Sequence, residues 1–426
     1  MGTTEKPLGS TREQSQSEAL PYTLALSIVF LIILCLSYAI NAADRQIFPT
    51  LIPAIRKAFG YSLPIAGLMS TVFTLGLAVS GIPTGYLLDR TSRKSIIVLG
   101  MLIYSVFTLA TIYASGFWDM LLYRTITGVG EGMQMAALFA AIGSYFHRRR
   151  SFYIGWMILA YGVGGFLGPR IGAKLAAAAG NWHIPFVWFA ITGIVLCVVV
   201  SIFVPKGFSE SKGPGVSATA VDQAAVAHVP EALWNRNVIL GFIAAVVTGF
   251  SLYGFLSVYM LYLQGVLKYT QMDAAAAFSF FGLGGFCSFI GGWCGDRFPQ
   301  RGVIAVAFAA MAAVGYSMYN VAVAFNAQAL LCFLTGALAS GFLFVNILSM
   351  LQRSVRPQMV GRASGIFLTS LFGAASVAGY LMGWLVVHLS WGGAALVELT
   401  LLPIIGIIAM FMVNPSQLIV AKPKKA

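Results

Sequence analysis

Charge is scarce in this sequence, and acidic charge is scarcer still. Asp, Glu, Lys and Arg make up 9% of its 426 residues, and 13 residues are acidic against 26 that are basic. Soluble globular proteins average about 25% charged residues. Since 59% of the chain is hydrophobic and its mean hydropathy is +0.85, the composition excludes an ordinary soluble protein and predicts an all-α polytopic membrane protein.

Residues that bind metals or act as nucleophiles are also few. The five cysteines lie in or at the ends of apolar segments without a ligand spacing, and the four histidines are scattered at or beyond the ends of such segments. Catalysis within a membrane requires a nucleophile with its base, or a metal cluster. We see neither pattern and therefore expect no metal, no cofactor and no enzymatic activity, which leaves an ion gradient as the energy source.

Twelve apolar runs are long enough to cross a bilayer, which takes about 20 helical residues. The polar segment 205–237 separates six runs from six. We expect it to be a cytoplasmic linker between an N-terminal half (22–204) and a C-terminal half (238–413), with cytoplasmic tails at 1–21 and 414–426. The first tail lacks the basic region and cleavage site of a signal peptide. The predicted spans are 22–47, 65–88, 95–114, 118–144, 153–178, 185–204, 238–264, 273–294, 303–325, 328–351, 363–388 and 392–413.

The surplus of basic residues indicates the orientation of the chain. With both termini inside, 19 of the 26 Lys and Arg residues fall on the inner side, four on the outer side and three within spans. A bias of this kind marks the cytoplasmic side of a membrane protein. The formal net charge of +13 therefore gives no reason to expect nucleic acid as a partner. We predict a multi-pass monomer in the lipid bilayer of a bacterial inner membrane, with both termini cytoplasmic.

A short polar motif occurs once in each half. Residues 85–94 (GYLLDRTSRK) follow span 2, residues 292–301 (GWCGDRFPQR) follow span 8, and their Asp residues are 207 positions apart. Repetition of one unit is typical of transporters whose halves rock about a site between them. We expect the motif to form a gating latch, with Gly85 allowing close helix packing; the alternative is a solvated turn that only marks topology. Its candidate residues are Gly85, Asp89, Arg90, Arg93, Asp296 and Arg297.

Two pairs of charged residues stand out inside the predicted spans, where charge is costly. Asp44 and Arg45 lie in span 1. Arg124 and Glu131 lie in span 4, seven residues and thus about 10.5 Å apart on one helix face. Such groups normally face each other or a water-filled path and are candidates for function. We predict that the two carboxylates carry protons and that the two arginines balance them or bind a substrate anion. The alternative is a permanent ion pair that only fixes helix packing.

Polar residues elsewhere in the spans extend the candidate site. Arg170 either reaches the membrane surface or captures an anion in an outer vestibule. Tyr259 either lines a cavity or belongs to an interfacial aromatic belt. Glu398 in span 12 is expected to be structural. The further candidates for substrate binding or charge balance are Tyr38, Asn41, Gln134, Arg170, Tyr253, Tyr259 and Asn346.

The paired Gly-Asp-Arg loops, the six-plus-six layout and the central linker resemble the major facilitator superfamily across essentially the whole chain. The first loop departs from the signature of that superfamily at Ser92, where a Gly is usual. The resemblance implies twelve transmembrane helices in two six-helix halves, with alternating access to a site between them.

The charged residues look like those of two branches of the superfamily, the anion:cation symporters and the spinster-like carriers. In both branches the span-1 Asp-Arg pair and the span-4 Glu are implicated in proton-driven transport. The resemblance thus assigns this role to Asp44, Arg45 and Glu131, while Arg124 carries over from the symporter branch alone. Met133 stands where symporter members often have a Pro.

The function predicted from these features is proton-coupled symport of a small organic anion. One alternative is a spinster-like, proton-driven carrier of lysolipids or other amphiphiles. Another is a metabolite or drug antiporter, which is suggested by Gly168-Pro169 in span 5. A cavity with paired cationic side chains favours an anion, whereas an apolar and laterally open cavity favours a lipid.

Overall fold

All regular secondary structure in the described part of the chain is helical. Outside that part lie the predicted N-terminal tail, the middle of the predicted linker, Arg148, Arg149 and the basic end of the chain. The side chain of Asp89 is likewise not described. The computed structural model describes residues 22–146, 150–210, 228–356 and 359–419.

Six helices form the first half and six form the second. The first six are α1 (Leu24–Phe59), α2 (Leu63–Thr71 and Phe73–Arg90), α3 (Arg93–Ala110), α4 (Phe117–Tyr145), α5 (Arg150–Ala179) and α6 (His183–Phe203). The next four are α7 (Arg236–Gly265), α8 (Gln271–Gly284 and Ser288–Arg297), α9 (Gln300–Asn320) and α10 (Phe325–Gly336, the π-helix Ala337–Phe344 and Val345–Arg353). The last two helices are α11 (360–389) and α12 (391–412). They are formed by the run Val360–Ala395, the π-helix Leu396–Leu401 and the segment Leu402–Met412.

The helix count agrees with the twelve predicted spans. In the described residues, nine helical runs are long and apolar enough to cross a membrane. One of them, Arg362–Met412, contains two helices, because Ser390 has φ 63° and ψ 175°. A positive φ is uncommon outside glycine and interrupts a helix. The α4 and α5 helices, 29 and 30 residues long, exceed the length that a bilayer requires and complete the set.

The first helix is longer than its predicted span, which ended at residue 47. It continues through Pro49 and Pro53 to Phe59, although each proline removes a backbone donor. It ends at Gly60, whose φ of 64° directs its N–H to the Arg56 carbonyl oxygen. The last turn therefore carries basic side chains, which the partial negative charge of a helix C-terminus stabilises.

The two halves touch through glycines at two helix crossings. A side chain on Gly67 of α2 would overlap the backbone of Gly379 on α11. A side chain on Gly282 of α8 would overlap the backbone of α5 at Phe166. Small residues allow such close approach where lipid offers no hydrophobic drive between helices. These crossings bring α2 against α11 and α5 against α8.

Buried turns of α1 and α7 lie between two cavities. The cavity at the end predicted to be outer (≈ 490 Å³) is lined by both halves, among others by Pro53, Arg56, Gln264 and Trp391. Residues 41–52 of α1 and 251–263 of α7 are buried without exception. At the end predicted to be cytoplasmic, a cavity of ≈ 750 Å³ lies between α7 and α11, which both belong to the second half. We call it the inner cavity. It is lined by Leu233, Trp234, Phe242, Val246, Phe250, Arg362, Gly365, Ile366, Thr369, Ser370, Gly373 and Ala374.

Candidate functional site

An ion pair joins the two helices that carry the predicted membrane-depth charges. Arg45 Nε of α1 lies 2.8 Å from Glu131 Oε2 of α4, and the two side chains are 4% and 0% exposed. The N–H is not aligned as a hydrogen bond, since both atoms lack a hydrogen-bond partner, so the contact is one of charge. The expectation that Glu131 finds its partner on another helix therefore agrees with the structure.

Asp44 points away from this pair although it adjoins Arg45 in sequence. Its Oδ2 accepts a hydrogen bond of 2.8 Å from the Thr108 hydroxyl of α3, and it is buried. The sequence reasoning missed Thr108, because one hydroxyl in an apolar helix carries no distinguishing signal. The two carboxylates thus have different partners, a hydroxyl for Asp44 and a guanidinium for Glu131.

Arg124 is buried without an ion pair. Its guanidinium carbon lies 4.5 Å from the ring centroid of Phe48 and 5.1 Å from that of Phe73, and the residue is 1% exposed. The charges of Asp44 and Glu131 act on it, but no carboxylate of the described residues lies within 4.0 Å, and Nε and Nη2 have no acceptor. Aromatic faces stabilise a desolvated cation only partly. Two donors of Arg124 therefore remain available for an anion.

Amide groups connect the same two helices beside the charges. Asn41 Nδ2 donates to Gln134 Oε1 over 2.7 Å, and Gln134 Nε2 donates to the Ser37 hydroxyl over 3.2 Å. Tyr38 packs on Tyr161, with 5.6 Å between ring centroids. The structure thus brings Tyr38, Asn41 and Gln134 together with the charge cluster, as the sequence predicted.

The glycines of α4 pack this helix closely against its neighbours. A side chain on Gly128 would overlap the Phe73 carbonyl of α2, and one on Gly130 would lie 2.6 Å from the Gly100 carbonyl oxygen of α3. Glycine at position 132 likewise leaves room for Ser80. These glycines therefore serve close helix packing. It brings α2 and α3 near enough for Phe73 and Thr108 to reach the charged residues.

Arg170 makes a contact that neither alternative foresaw. Its Nη1 donates to the Ser279 hydroxyl of α8, and its guanidinium carbon lies 3.9 Å from the ring centroid of Phe166. The side chain therefore links the first half to the second at the α5–α8 crossing. Ser279 is 109 positions away in sequence, so no local pattern indicates the contact.

Tyr253 lies between the halves, as its assignment to the site requires. Its ring centroid is 6.3 Å from that of Phe73 in α2 and 6.4 Å from that of Phe372 in α11. Phe73 in turn contacts Arg124. Three aromatic rings therefore run from Arg124 to α11, where Phe372 precedes Gly373 and Ala374 of the inner cavity.

Two predicted site residues have structural partners within the second half. The Tyr259 hydroxyl donates to Gln328 Oε1 over 2.7 Å, inside an aromatic cluster, so neither the cavity nor the interfacial belt describes it. Asn346 Nδ2 donates to the carbonyl oxygens of Gly291 (3.0 Å) and Phe342 (2.9 Å). Both side chains use their polar groups to pack helices together. A polar residue in a span indicates burial, but the sequence does not separate a helix contact from a ligand.

In the first repeated loop the predicted close packing at Gly85 is absent from this conformation. Nothing lies within 4 Å of a side chain built there, and the residue is exposed. Arg90 donates to the Tyr86 hydroxyl, and Arg93 Nη1 donates to the Ser209 carbonyl oxygen over 3.3 Å. The basic residues of this loop thus bind within the first half.

The second repeated loop contains a surface ion pair. Asp296 Oδ1 lies 2.7 Å from Arg353 Nη2 at the end of α10, with Asp296 73% exposed. Arg297 lies 5.8 Å from the ring centroid of Trp293. The aspartate of this loop thus pairs with an arginine of a later loop within the second half.

Comparison with known proteins gives a family match over most of the chain. Residues 34–379 match the family model described as Major Facilitator Superfamily. The chain is 33% identical over 196 residues to protein spinster homolog 1 of Xenopus laevis, which covers 44% of this chain and 36% of that protein. It is 25% identical over 329 residues to the 4-hydroxybenzoate transporter PcaK of Pseudomonas putida, which covers 68% of this chain and 72% of PcaK. The match to the spinster relative thus spans well under two thirds of its length.

Solved structures share the fold. A bacterial homolog to the human lysosomal transporter spinster, in an inward-facing and unoccupied conformation, superposes with a TM-score of 0.72 at 18% identity, covering 92% of this chain and 97% of that one. The nucleoside transporter NupG superposes with a TM-score of 0.69 at 12% identity, covering 91% and 98%. At these identities the likeness establishes the arrangement of the helices alone.

Proposed function

The chain belongs to the Major Facilitator Superfamily, and on that premise we propose that it is a proton-coupled symporter of a small organic anion. The observation that carries the proposal is the buried guanidinium of Arg124, which has two free donors and no ion pair. We place the protein as a monomer in a bacterial inner membrane, with both termini cytoplasmic.

The charge balance of the site links a proton to an anion. Asp44, Glu131, Arg45 and Arg124 sum to zero when both carboxylates are ionised, and all four are buried. A proton on either carboxylate leaves one positive charge in excess. Since an uncompensated buried charge is costly, binding of a monovalent anion beside Arg124 restores neutrality. Proton and anion then bind and leave together.

The two carboxylates respond differently to a proton because their partners differ. The Thr108 hydroxyl both donates and accepts, so Asp44 keeps this hydrogen bond whether it is ionised or protonated. Protonation of Glu131 instead frees Arg45 from its ion pair. Asp44 thus takes up a proton with little rearrangement, while a proton on Glu131 releases a second cation toward the anion.

The contacts between the halves support a rocking movement about this site. The glycine crossings of α2 with α11 and of α5 with α8 allow sliding without repacking of large side chains, and Arg170 joins the halves at the second crossing. In this conformation residues 41–52 of α1 and 251–263 of α7 are buried. Release of proton and anion toward the inner cavity is the step that this shape favours.

A second candidate function, transport of an amphiphile, is favoured by the inner cavity. Its lining is mainly apolar, with Arg362 as its one charged residue. An apolar wall with a cation suits a molecule that has an acyl or aromatic body and an anionic group. PcaK, named as a 4-hydroxybenzoate transporter, agrees instead with the first candidate.

Proton flux into proteoliposomes tests both candidates. The protein is reconstituted with a pH dye inside, and sugar acids, aromatic acids and lysolipids are added in turn. Symport is supported if one acid acidifies the interior with the wild type and with the exposed control Asp119→Asn. The same acid should cause no acidification with Asp44→Asn or Glu131→Gln. A response to lysolipid alone replaces the first candidate with the second. If the Asp44→Asn variant still acidifies the interior fully, Asp44 does not take part in proton coupling.

A further inference from the structure

The second half contains a buried carboxyl group that the proposed transport site does not use. Glu398 of α12 is 1% exposed, and neither of its carboxyl oxygens has a hydrogen-bond partner. Among the described residues, Asp44 and Glu131 are the only other buried acids, and both of those have a partner.

The helix that carries this carboxyl group departs from regular α-helical geometry at Glu398. Glu398 lies in the π-helical turn Leu396–Leu401, and turns of this kind occur frequently at functional sites. Opposite it on α7 stands Gly254, where any side chain would overlap Glu398 Oε1. The Ser251 hydroxyl donates to the backbone oxygen of Glu398 over 3.1 Å and leaves its carboxyl group free.

No positively charged side chain of the described residues forms an ion pair with Glu398. In the described residues, α7 presents Ser251 and Gly254. From α9, Tyr319 is the titratable residue whose phenol senses the charge of Glu398, and its hydroxyl is also buried without a partner. An ionised carboxylate in such surroundings is costly, and the group takes up a proton instead.

The position of Glu398 links it to the interface between the halves. Gly254 faces Glu398, and the residue before it, Tyr253, contacts Phe73 of the first half. Because Tyr253 and Gly254 are adjacent, a movement of α7 relative to α12 that separates Gly254 from Glu398 also changes the contact of Tyr253 with Phe73. Water then gains access to the carboxyl group, so the desolvation cost of its ionised form is removed.

We propose that Glu398 is a second proton-binding site, separate from Asp44 and Glu131, which holds a proton in this conformation and releases it when α7 moves away from α12. Proton occupancy of Glu398 then favours this conformation. Only the release step rests on the proposed transport cycle; the bound proton does not depend on any substrate.

The bound proton is tested on the purified full chain in nanodiscs. The infrared C=O stretching band of a protonated carboxyl group is compared between the wild type and Glu398→Gln at neutral pH, and loss of the band component in the variant is expected. Wild-type protein is also treated with a hydrophobic carbodiimide, which requires a protonated carboxyl group, and labelling of Glu398 is read by mass spectrometry. An unchanged band together with absent labelling overturns the proposal, and the labelling needs no variant to fold.

The release step is tested without substrate in the double variant Asp44→Asn/Glu131→Gln, where Glu398 is the buried acid that remains in the described residues. Spin labels at Lys57→Cys and Met272→Cys report the distance between the outer ends of α1 and α8. We expect this distance to lengthen as the pH rises, and the lengthening to disappear when Glu398→Gln is added. A response that persists in the triple variant, or is absent from the double variant, overturns the release step. Failure of every anion to drive proton flux would instead count against symport and leave these readouts intact.

Discussion

The two buried arginines of the charge cluster are expected to differ sharply in what their removal costs. Arg45 contacts Glu131 at 2.8 Å, whereas Arg124 has only aromatic faces near its guanidinium. Replacement by Met keeps most of the side-chain length in both cases and removes the charge. Arg45→Met therefore leaves Glu131 buried without its cation, and Arg124→Met leaves no broken pair.

The magnitudes follow from these partners. Breaking a buried ion pair from one side costs about 3–5 kcal/mol, so Arg45→Met should lower the free energy of unfolding by that amount at neutral pH. Arg124→Met loses a cation–π contact of about 2 kcal/mol or less and also relieves an unpaired charge. We expect the Arg124→Met variant to have a free energy of unfolding close to that of the wild type and to lose anion-driven proton flux.

The cost of Arg45→Met should also depend on pH. Without its cation, Glu131 stays buried only as the neutral acid, whereas in the unfolded chain it ionises. The folded state then binds more protons than the unfolded state, so stability falls as the pH rises, by up to about 1.4 kcal/mol per pH unit. Arg124→Met should lack this added slope.

Unfolding can be followed through the protein's own cysteines. Cys332 is fully buried, so a thiol-reactive dye reports its exposure during thermal or denaturant unfolding in detergent. The pair of variants is compared with the wild type at several pH values. Equal costs for the two variants, or an Arg45→Met cost that does not change with pH, would refute the pairing of Arg45 with Glu131.

Three further changes have distinct expected outcomes. Gly128→Ala should prevent folding because its methyl group overlaps the backbone of α2, whereas Gly81→Ala, with nothing within 4 Å, should express normally; yield of monodisperse protein measures both. Asp296→Asn breaks the exposed pair with Arg353 and should change stability by about 1 kcal/mol or less while altering the transport rate. Burial, and secondarily a nearby carboxylate, raises the pKa of Tyr61 to about 12. The Tyr61→Phe variant should therefore lose the phenolate absorbance component that appears near that pH in the wild type. The stability that the neutral phenol contributes should be lost as the pH rises through the raised pKa.

The sequence was sufficient to single out the charged residues of spans 1 and 4 as groups that face each other or a water-filled path. Burial cost leaves such residues few arrangements other than facing each other. It did not indicate that Glu131 pairs with Arg45 while Arg124, seven residues along the same helix, stays unpaired. That choice depends on where Phe48 and Phe73 place their rings, which is a matter of packing between distant segments.

Other features were hidden for related reasons. The extension of α1 to Phe59 passes two prolines, which by local rules favour an earlier end. Thr108 and Ser279 contact Asp44 and Arg170, but hydroxyl residues are common in apolar helices and bond equally well to their own backbone. The helix break at Ser390 did coincide with the gap predicted between spans 11 and 12, because a polar residue interrupts the apolar pattern there.

The two halves differ in how they treat charge, and this difference bears on the kind of substrate. The first half concentrates two acids and two arginines beside the interface. The second half faces the interface with Tyr253 and Phe372 and an inner cavity that is mainly apolar. A molecule held between such walls meets cations on one side and apolar side chains on the other. This asymmetry favours anions with an aromatic or acyl body over sugar acids, because the hydroxyl groups of a sugar acid would lose water against the apolar wall without gaining hydrogen bonds.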